Sequence, residues 1–423
     1  MKNRSNVNSC GVTSCLVERQ ISSEQALHNI RQIIASHGLE SQVECAGSDL
    51  KSYHVFLFDR SMKKEFIGCG KGVGVQSEVS ALFEAFEHYM SYQTLHRNDQ
   101  HFKMKVYENP DLDYLINEHM LPPNFVKLIG GADVMMPWVR FYSMLRAASI
   151  FYPLFLIEPK YNRGNRINYD ESTFFNLSHL SSGSGCASGS SFDEAFIHGV
   201  LEAIERDAHS LFLYNAFIRN KQIDVVEKDT VPDYLKRYIK AIENEYNDEL
   251  VIIDITSNVG VPCFCVTFNK SNAAIQPKGY GASLYKAYAL ERALLESLQP
   301  VHLRTKNQNK AENNTINRLK KYPLLQLAAV ADVNAIIQAD RFRVIDFTMI
   351  KDFYAGESLA EQKHKLLSLL EKRGFHTYCN NLYTLPNYSL VQILVSRFSN
   401  LFLLHTGKLI LPNVSFLNSR MVV

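Results

Sequence analysis

Residues 187–207 read Ala187-Ser-Gly-Ser-Ser-Phe-Asp-Glu194-Ala-Phe-Ile-His-Gly-Val-Leu-Glu202-Ala-Ile-Glu205-Arg206-Asp207. Wound as a helix at roughly 100° per residue, Glu194, His198, Glu202 and Glu205 fall within an arc of about 80°. Phe196, Ile197, Val200, Leu201, Ala203 and Ile204 take the other side. The spacing predicts a helix from about Phe192 to Asn215 with one packing face and one acidic face. Ser191-Phe-Asp-Glu194 fits a capping box at its start. The Ser/Gly run Ser181–Ser190 before it reads as a loop.

Working outward, the pattern recurs. A helix is expected over about Ser77–Tyr92, carrying Ser80, Glu84 and Glu87, and another over about Ser283–Gln299, stopped or kinked by Pro300. Glu84-Ala-Phe-Glu87-His88, Glu202-Ala-Ile-Glu205-Arg206 and Glu296-Ser-Leu-Gln299 each lie late in a helix. Each helix follows paired glycines: Gly72 and Gly74, Gly183 and Gly185, Gly279 and Gly281. The intervals are too uneven for a solenoid. They suit three similar walls of one site.

An acidic helix face has two readings. It can be solvated surface, and Glu194 can simply complete a cap. Solvated faces, however, usually interleave lysine with glutamate, because opposite charges at i,i+4 support the helix. No lysine interleaves here, and like charges at 194, 202 and 205 repel unless a cation sits among them. Hard cations such as Mg²⁺ take oxygen ligands and commonly bridge carboxylates and phosphates. Arg206 and Arg292 offer guanidinium forks for phosphate oxygens, and a Gly/Ser loop before a helix supplies N–H groups. Gly70-Lys71-Gly72 lacks the hydroxyl residue and glycine spacing of a Walker loop.

The rest of the chain alternates helix and strand signals. A helix is expected over Ser23–Ser36 with Gly38 closing it, and strands over Val55–Phe58, Phe151–Glu158, Leu250–Ile255 and Pro262–Asn269. Further along come a strand at Phe342–Phe347, a helix at Leu359–Arg373 closed by Gly374, and a strand at Leu390–Phe398. The fold class is α/β, or α+β, with several sheets. Forty-five basic against 43 acidic residues give a net charge of +2, without the basic excess of a nucleic-acid binder. No apolar run reaches the ~18 residues of a membrane span, and no signal peptide is visible. The eight cysteines, with no C-x-x-C, fit free thiols in a reducing cytoplasm. Cys263 and Cys265 alternate as on a strand and read as buried small hydrophobes.

Gly70-Lys-Gly with Ser80-Ala-Leu-Phe-Glu84-Ala-Phe-Glu87-His88-Tyr89, the stretch 187–207, and Arg292-Ala-Leu-Leu-Glu296-Ser-Leu-Gln299 together resemble the three nucleotide motifs of the YcaO-domain family. The resemblance spans roughly residues 18–300. It implies a YcaO-like fold whose ATP site is lined by three helices: a tail at 1–20, a nucleotide-binding core at 21–310, and an α/β portion of the same body at 311–423. By motif position, Glu84, Glu87, Glu202 and Glu205 would hold Mg²⁺. Ser80, Ser190, Glu194, Arg206 and Arg292 would contact the nucleotide, with Glu84 serving both; no residue is assigned to acid–base catalysis. The implied activity is phosphorylation of a peptide amide oxygen. The foremost expectation is cyclodehydration of Cys, Ser or Thr to azolines; thioamidation, and an accessory ATP-binding role, are the alternatives. Implied partners are a leader-bearing peptide, a leader-binding or E1-like protein and a flavin dehydrogenase, in a homodimer or hetero-oligomer. His88 stands where the family usually has arginine and Ser190 where asparagine is common, and the chain ends Ser419-Arg-Met-Val-Val423 rather than in alternating prolines.

Overall fold

The computed structural model describes residues 17–47, 50–95, 101–161, 164–270, 275–302 and 306–412; the C-terminal residues 413–423 and the first part of the expected tail lie outside them. In chain order the first unit is α1 (Ser23–Ser36), β1 (Glu40–Ala46), β2 (Ser52–Asp59), β3 (Lys64–Gly70) and α2 (Val75–Leu95). The hydroxyl of Ser22 accepts from the Gln25 N–H and starts α1, and Gly38, at φ +68°, ends it as the sequence suggested. A middle stretch follows: β4 (Phe102–Lys105), α3 (Leu112–Asn117), α4 (Phe125–Leu128), β5 (Met135–Ser143), β6 (Ser149–Pro153), α5 (Leu154–Ile157), β7 (Cys186–Gly189) and α6 (Phe192–Leu213). Then come β8 (Ile223–Val226), α7 (Asp233–Tyr246), β9 (Leu250–Asp254), β10 (Cys263–Phe268), β11 (Lys278–Ala282) and α8 (Lys286–His302). The chain closes with α9 (Lys306–Leu319), α10 (Pro323–Val330), α11 (Val333–Gln338), β12 (Phe342–Ile345), α12 (Leu359–Lys372), β13 (Thr377–Leu385) and β14 (Tyr388–Val395).

These strands form three sheets: β1-β2-β3; β4-β5-β13-β14-β7 with β6 on β5; and β11-β10-β9-β8-β12. Pairing is antiparallel except where β12 lies parallel to β8. The last part of the chain completes sheets begun earlier, since β12 joins β8, β13 joins β5 and β14 joins β7. In the third sheet, β10 is buried on both faces. Cys263 and Cys265 join the core around α6, while Phe264, Val266 and Phe268 join the core beneath α7 and α8. The alternation read from the sequence is therefore the strand's own pleat.

Three expectations change. Phe151–Glu158 is not one strand: β6 ends at Pro153 and Leu154–Ile157 turn as a helix. A short buried apolar run carries no period to separate the two. Pro300 does not end α8, which continues to His302 with the proline inside it. The Ser181–Ser190 run is a loop only in its first half, because Cys186–Gly189 pair with β14 as a strand. No helix among the described residues is long and apolar enough to cross a membrane.

Candidate active site

The three walls foreseen in the sequence exist, and glycine builds them by making room. A Cβ on Gly68 of β3 would stand 2.2 Å from the Ala81 carbonyl oxygen, and one on Gly70 would stand 1.8 Å from that of Ser77. In the third wall, a Cβ on Gly279 of β11 would meet the Ala293 oxygen at 2.1 Å, and one on Gly281 the Ala289 oxygen at 2.2 Å. None of these four has a positive φ, so any residue could adopt the backbone and only a hydrogen fits. The helix thus lies directly on its strand. The middle wall exchanges the partners. Ala187 sits on β7 and Gly199 on α6, where a Cβ would come 3.3 Å from that of Ala187 and 2.8 Å from Ile393 Cγ1. Gly72 and Gly74, paired in the sequence reading, are turn residues before α2 at φ +152° and +60°, and Gly185 is one at +82°.

Ala81, Gly199 and Ala293 therefore hold equivalent places on α2, α6 and α8. Counting from them, Ser80, His198 and Arg292 correspond, as do Glu84, Glu202 and Glu296, and Glu87, Glu205 and Gln299. All nine line one cavity of about 670 Å3, with Ser190, Glu194 and Arg206. Every expected site residue is brought together there.

The cavity is crowded with like charge. Glu84 Oε2 accepts from the Cys69 N–H at 3.0 Å, yet burial pushes its carboxyl up to about 7. Glu202 is pushed to about 7 by burial, with repulsion from Glu205 and Glu84 adding to it. Glu87 is raised well above the usual range, first by burial and then by Glu202 and Glu84, although Ser188 donates to its Oε2 from N–H at 2.7 Å and from Oγ at 2.9 Å. Arg206 stands beside the α6 carboxylates, its nitrogens 3.9 Å from Glu202 and 3.8 Å from Glu205. Lys71, from the turn after β3, pairs with Glu296, and burial holds its pKa down to about 8. Sequence reasoning gave Lys71 no role once the Walker reading failed.

The segment before α1 was expected as the end of a tail, yet it enters the site. Arg19 Nη1 reaches Glu194 at 3.2 Å and the Gln20 N–H donates to it at 2.9 Å. Glu18 is 4% exposed, accepts from the Ser283 hydroxyl and lies 3.4 Å from Arg292 Nη1. Glu194 thus serves long-range contacts. Only half of the capping box forms, Ser191 Oγ accepting from the Glu194 N–H at 3.3 Å. His88 donates Nδ1–H to the Ile67 carbonyl at 2.6 Å, and burial lowers its pKa. It is a neutral hydrogen-bonding ring in place of a guanidinium.

These residues suit a metal–nucleotide pair. Ser190 Oγ, His198 Nδ1 and Arg292 Nε are buried without a hydrogen-bond partner, a cost that a polyanion's oxygens would offset for the hydroxyl and the guanidinium. Among the described residues no three of His, Cys, Asp and Glu come together tightly enough to hold an ion by themselves. That is the arrangement Mg²⁺ accepts, keeping one or two carboxylates and taking its other ligands from phosphate and water.

The fold and site define an α/β protein with a carboxylate-rich cavity between three strand–helix walls. Residues 69–399 match the family described as YcaO cyclodehydratase, ATP- and Mg2+-binding. The chain belongs to the YcaO family, and its cofactors are ATP and Mg²⁺. A protein of unassigned function from Methanothermobacter thermautotrophicus is 26% identical over 245 residues, 55% of this chain and 56% of that one. The chain thus spans about half the length of this relative. The structure of YcaO from Methanopyrus kandleri bound with AMPPCP and Mg2+ is similar at a TM-score of 0.66 and 17% identity, over 94% of this chain and 97% of that one. A heterocyclase in complex with substrate and cofactor is similar at a TM-score of 0.61 and 16% identity, over 90% of this chain and 53% of that one. At these identities the likeness is one of fold.

Proposed function

We propose that this chain activates the backbone amide of a peptide by phosphorylating its oxygen, and that it does so to form azolines. The observation that carries the proposal is the convergence of Glu84, Glu87, Glu202 and Glu205 on one cavity with Arg206 and Arg292. In this reading the four glutamates share two Mg²⁺ ions, one or two carboxylates to each. Ser80, Ser190, Glu194, Arg206 and Arg292 hold the nucleotide, Glu84 bordering both. Bound ATP supplies the phosphoryl group that turns an amide oxygen into a leaving group. The protein contributes position and charge neutralisation. The two guanidiniums, Arg206 on α6 with its side chain 31% exposed and Arg292 on α8 at 12%, offset negative charge at the cavity wall.

The pairing of β12, β13 and β14 into earlier sheets supports reading 21–310 and 311–423 as one body. A second protein then presents the peptide. Ordering a flexible peptide costs ~1–2 kcal/mol per residue of backbone, and a partner holding the leader raises the core segment's local concentration. A cytoplasmic complex with leader-binding and dehydrogenase subunits fits this division of labour. The test is mass spectrometry of a candidate precursor incubated with the chain, Mg²⁺, ATP and the products of neighbouring genes. Loss of ~18 Da per modified residue marks cyclodehydration, a gain of ~16 Da marks sulfur for oxygen and so thioamidation, and ATP consumption with no mass change marks an accessory.

A further inference from the structure

Part of the cavity lining belongs to none of the three wall motifs. Lys278 and Tyr280 come from β11, His209 from α6, and His405 from the turn Leu401–Thr406. His209 lies ~6 Å along the helix axis beyond Glu205, so this cluster adjoins the carboxylates. The rings of His209 and Tyr280 stack at 4.0 Å and those of His209 and His405 at 4.8 Å. The Tyr280 hydroxyl and His209 Nε2 are hydrogen-bonded at 2.9 Å. His405 donates Nδ1–H to the Ala329 carbonyl at 2.6 Å, which leaves a lone pair on Nε2. That atom is buried without a partner, and so is His209 Nδ1.

Lys278 is the unusual member. It is 8% exposed, and its Nζ donates to the carbonyls of Gln276 at 3.2 Å and Val330 at 3.4 Å. An amine held by two carbonyls has one position on nitrogen left, for a third proton or a lone pair. The groups facing it are Cys265 on β10, Glu312 on α9, Asp332 before α11, His209 on α6 and His405. None is within ion-pair distance of Nζ among the described residues. Burial brings its pKa down to about 8. Burial also holds His405 at about 3 and His209 well below the usual range, so both imidazoles are neutral. Packing alone has no use for a buried lysine beside two half-satisfied histidines, since each costs desolvation that apolar side chains would avoid.

We propose that this cluster is the peptide-side subsite, with Lys278 the general base and His405 Nε2 the acceptor for a peptide N–H. The assignment rests on the amide-activation reading above. The attacking group, a thiol or hydroxyl of the peptide or a sulfide donor, gives its proton to the Lys278 amine and bonds to the amide carbon. The carbonyl π pair moves onto oxygen, the atom that is then phosphorylated. The ammonium returns its proton to solvent.

Two experiments decide it. The first needs no turnover. Amine acylation of the folded chain is followed by peptide mapping from pH 6 to 10, with and without Mg²⁺–ATP. Lys278 is expected to label with a midpoint near 8, against ~10.4 for ordinary lysines; a midpoint at 10 or above overturns the assignment. The second uses the complete peptide-modifying mixture. Lys278→Arg keeps the charge but removes the base, and Lys278→Gln serves if the larger side chain disturbs the fold. Both are expected to lower kcat at least 100-fold with nucleotide affinity within 3-fold of wild type, and to abolish the rise of kcat with pH centred near 8. Peptide modification within 3-fold of wild type overturns the proposal. Should wild type modify no peptide at all, the amide-activation reading falls, while the labelling midpoint still judges the lysine.

Discussion

Gly279→Ala is the perturbation that best separates the wall geometry from the chemistry it supports. The new Cβ would stand 2.1 Å from the Ala293 oxygen and 2.2 Å from the Ser297 nitrogen, both backbone atoms that cannot rotate away. Ordinary contact begins at 3.4 Å, so β11 and α8 must separate by about 1.3 Å. Overpacking of this kind costs ~1–3 kcal/mol, which for a chain of this size lowers the melting midpoint by roughly 1–3 °C. The same shift carries Arg292 and Glu296 outward, and misplacement by ~1 Å can cost up to 100-fold where geometry matters. A loss of about 10-fold in Mg²⁺–ATP affinity is therefore expected. Thermal unfolding and isothermal titration measure the two effects. Gly183→Ala is the stability control, since its Cβ would meet only Pro159, Cγ at 3.6 Å and Cδ at 4.0 Å, and its φ is not positive. A Gly279→Ala protein as stable as wild type, with unchanged affinity, refutes the close-approach account of the walls.

Cys186→Ser is expected to leave ATP turnover within a few-fold of wild type, because burial raises the thiol's pKa far above neutrality and keeps it protonated; complete loss of turnover would assign it a role. His405 gives a pH signature. With its folded pKa lowered to about 3, the native ring stays neutral while the unfolded chain takes up a proton as pH falls through ~6.5. Stability is therefore lost progressively between ~6.5 and about 3, by about 2 kcal/mol from pH 7 to pH 5. Urea titrations should show His405→Gln with a shallower decline by that amount, and an unchanged slope would remove the linkage.

Much of the site was legible because its signals are local. The apolar stripe, the cap at Ser191 and the unbroken acidic face of α6 all lie within one stretch, and similar polar spacing marks α2 at Glu84 and Glu87 and α8 at Glu296 and Gln299. Glycine was legible only in part. Sequence shows that glycines precede each helix but does not separate those needing positive φ, such as Gly74, from those needing space, such as Gly70. Short strands rich in small residues, β3, β7 and β11, resemble loops until their partners are known, and those partners lie far away in sequence for β7. The Glu18 and Arg19 contacts span 274 and 175 residues, and His405 meets His209 only through the turn after β14. Nothing in local spacing encodes such meetings; the sheets make them.

The central claim is that Glu84, Glu87, Glu202 and Glu205, from the first two walls, hold Mg²⁺ against ATP. Isothermal titration of Mg²⁺–ATP into wild type and Glu205→Gln, with and without Mg²⁺, tests it most directly. The substitution keeps size and hydrogen bonding while removing one charge from a residue 3% exposed at the cavity wall. The account predicts Mg²⁺-dependent binding by wild type and a loss of at least 10-fold in the variant, about 1.4 kcal/mol or more. Wild-type affinity in Glu205→Gln, or binding indifferent to Mg²⁺, would contradict it.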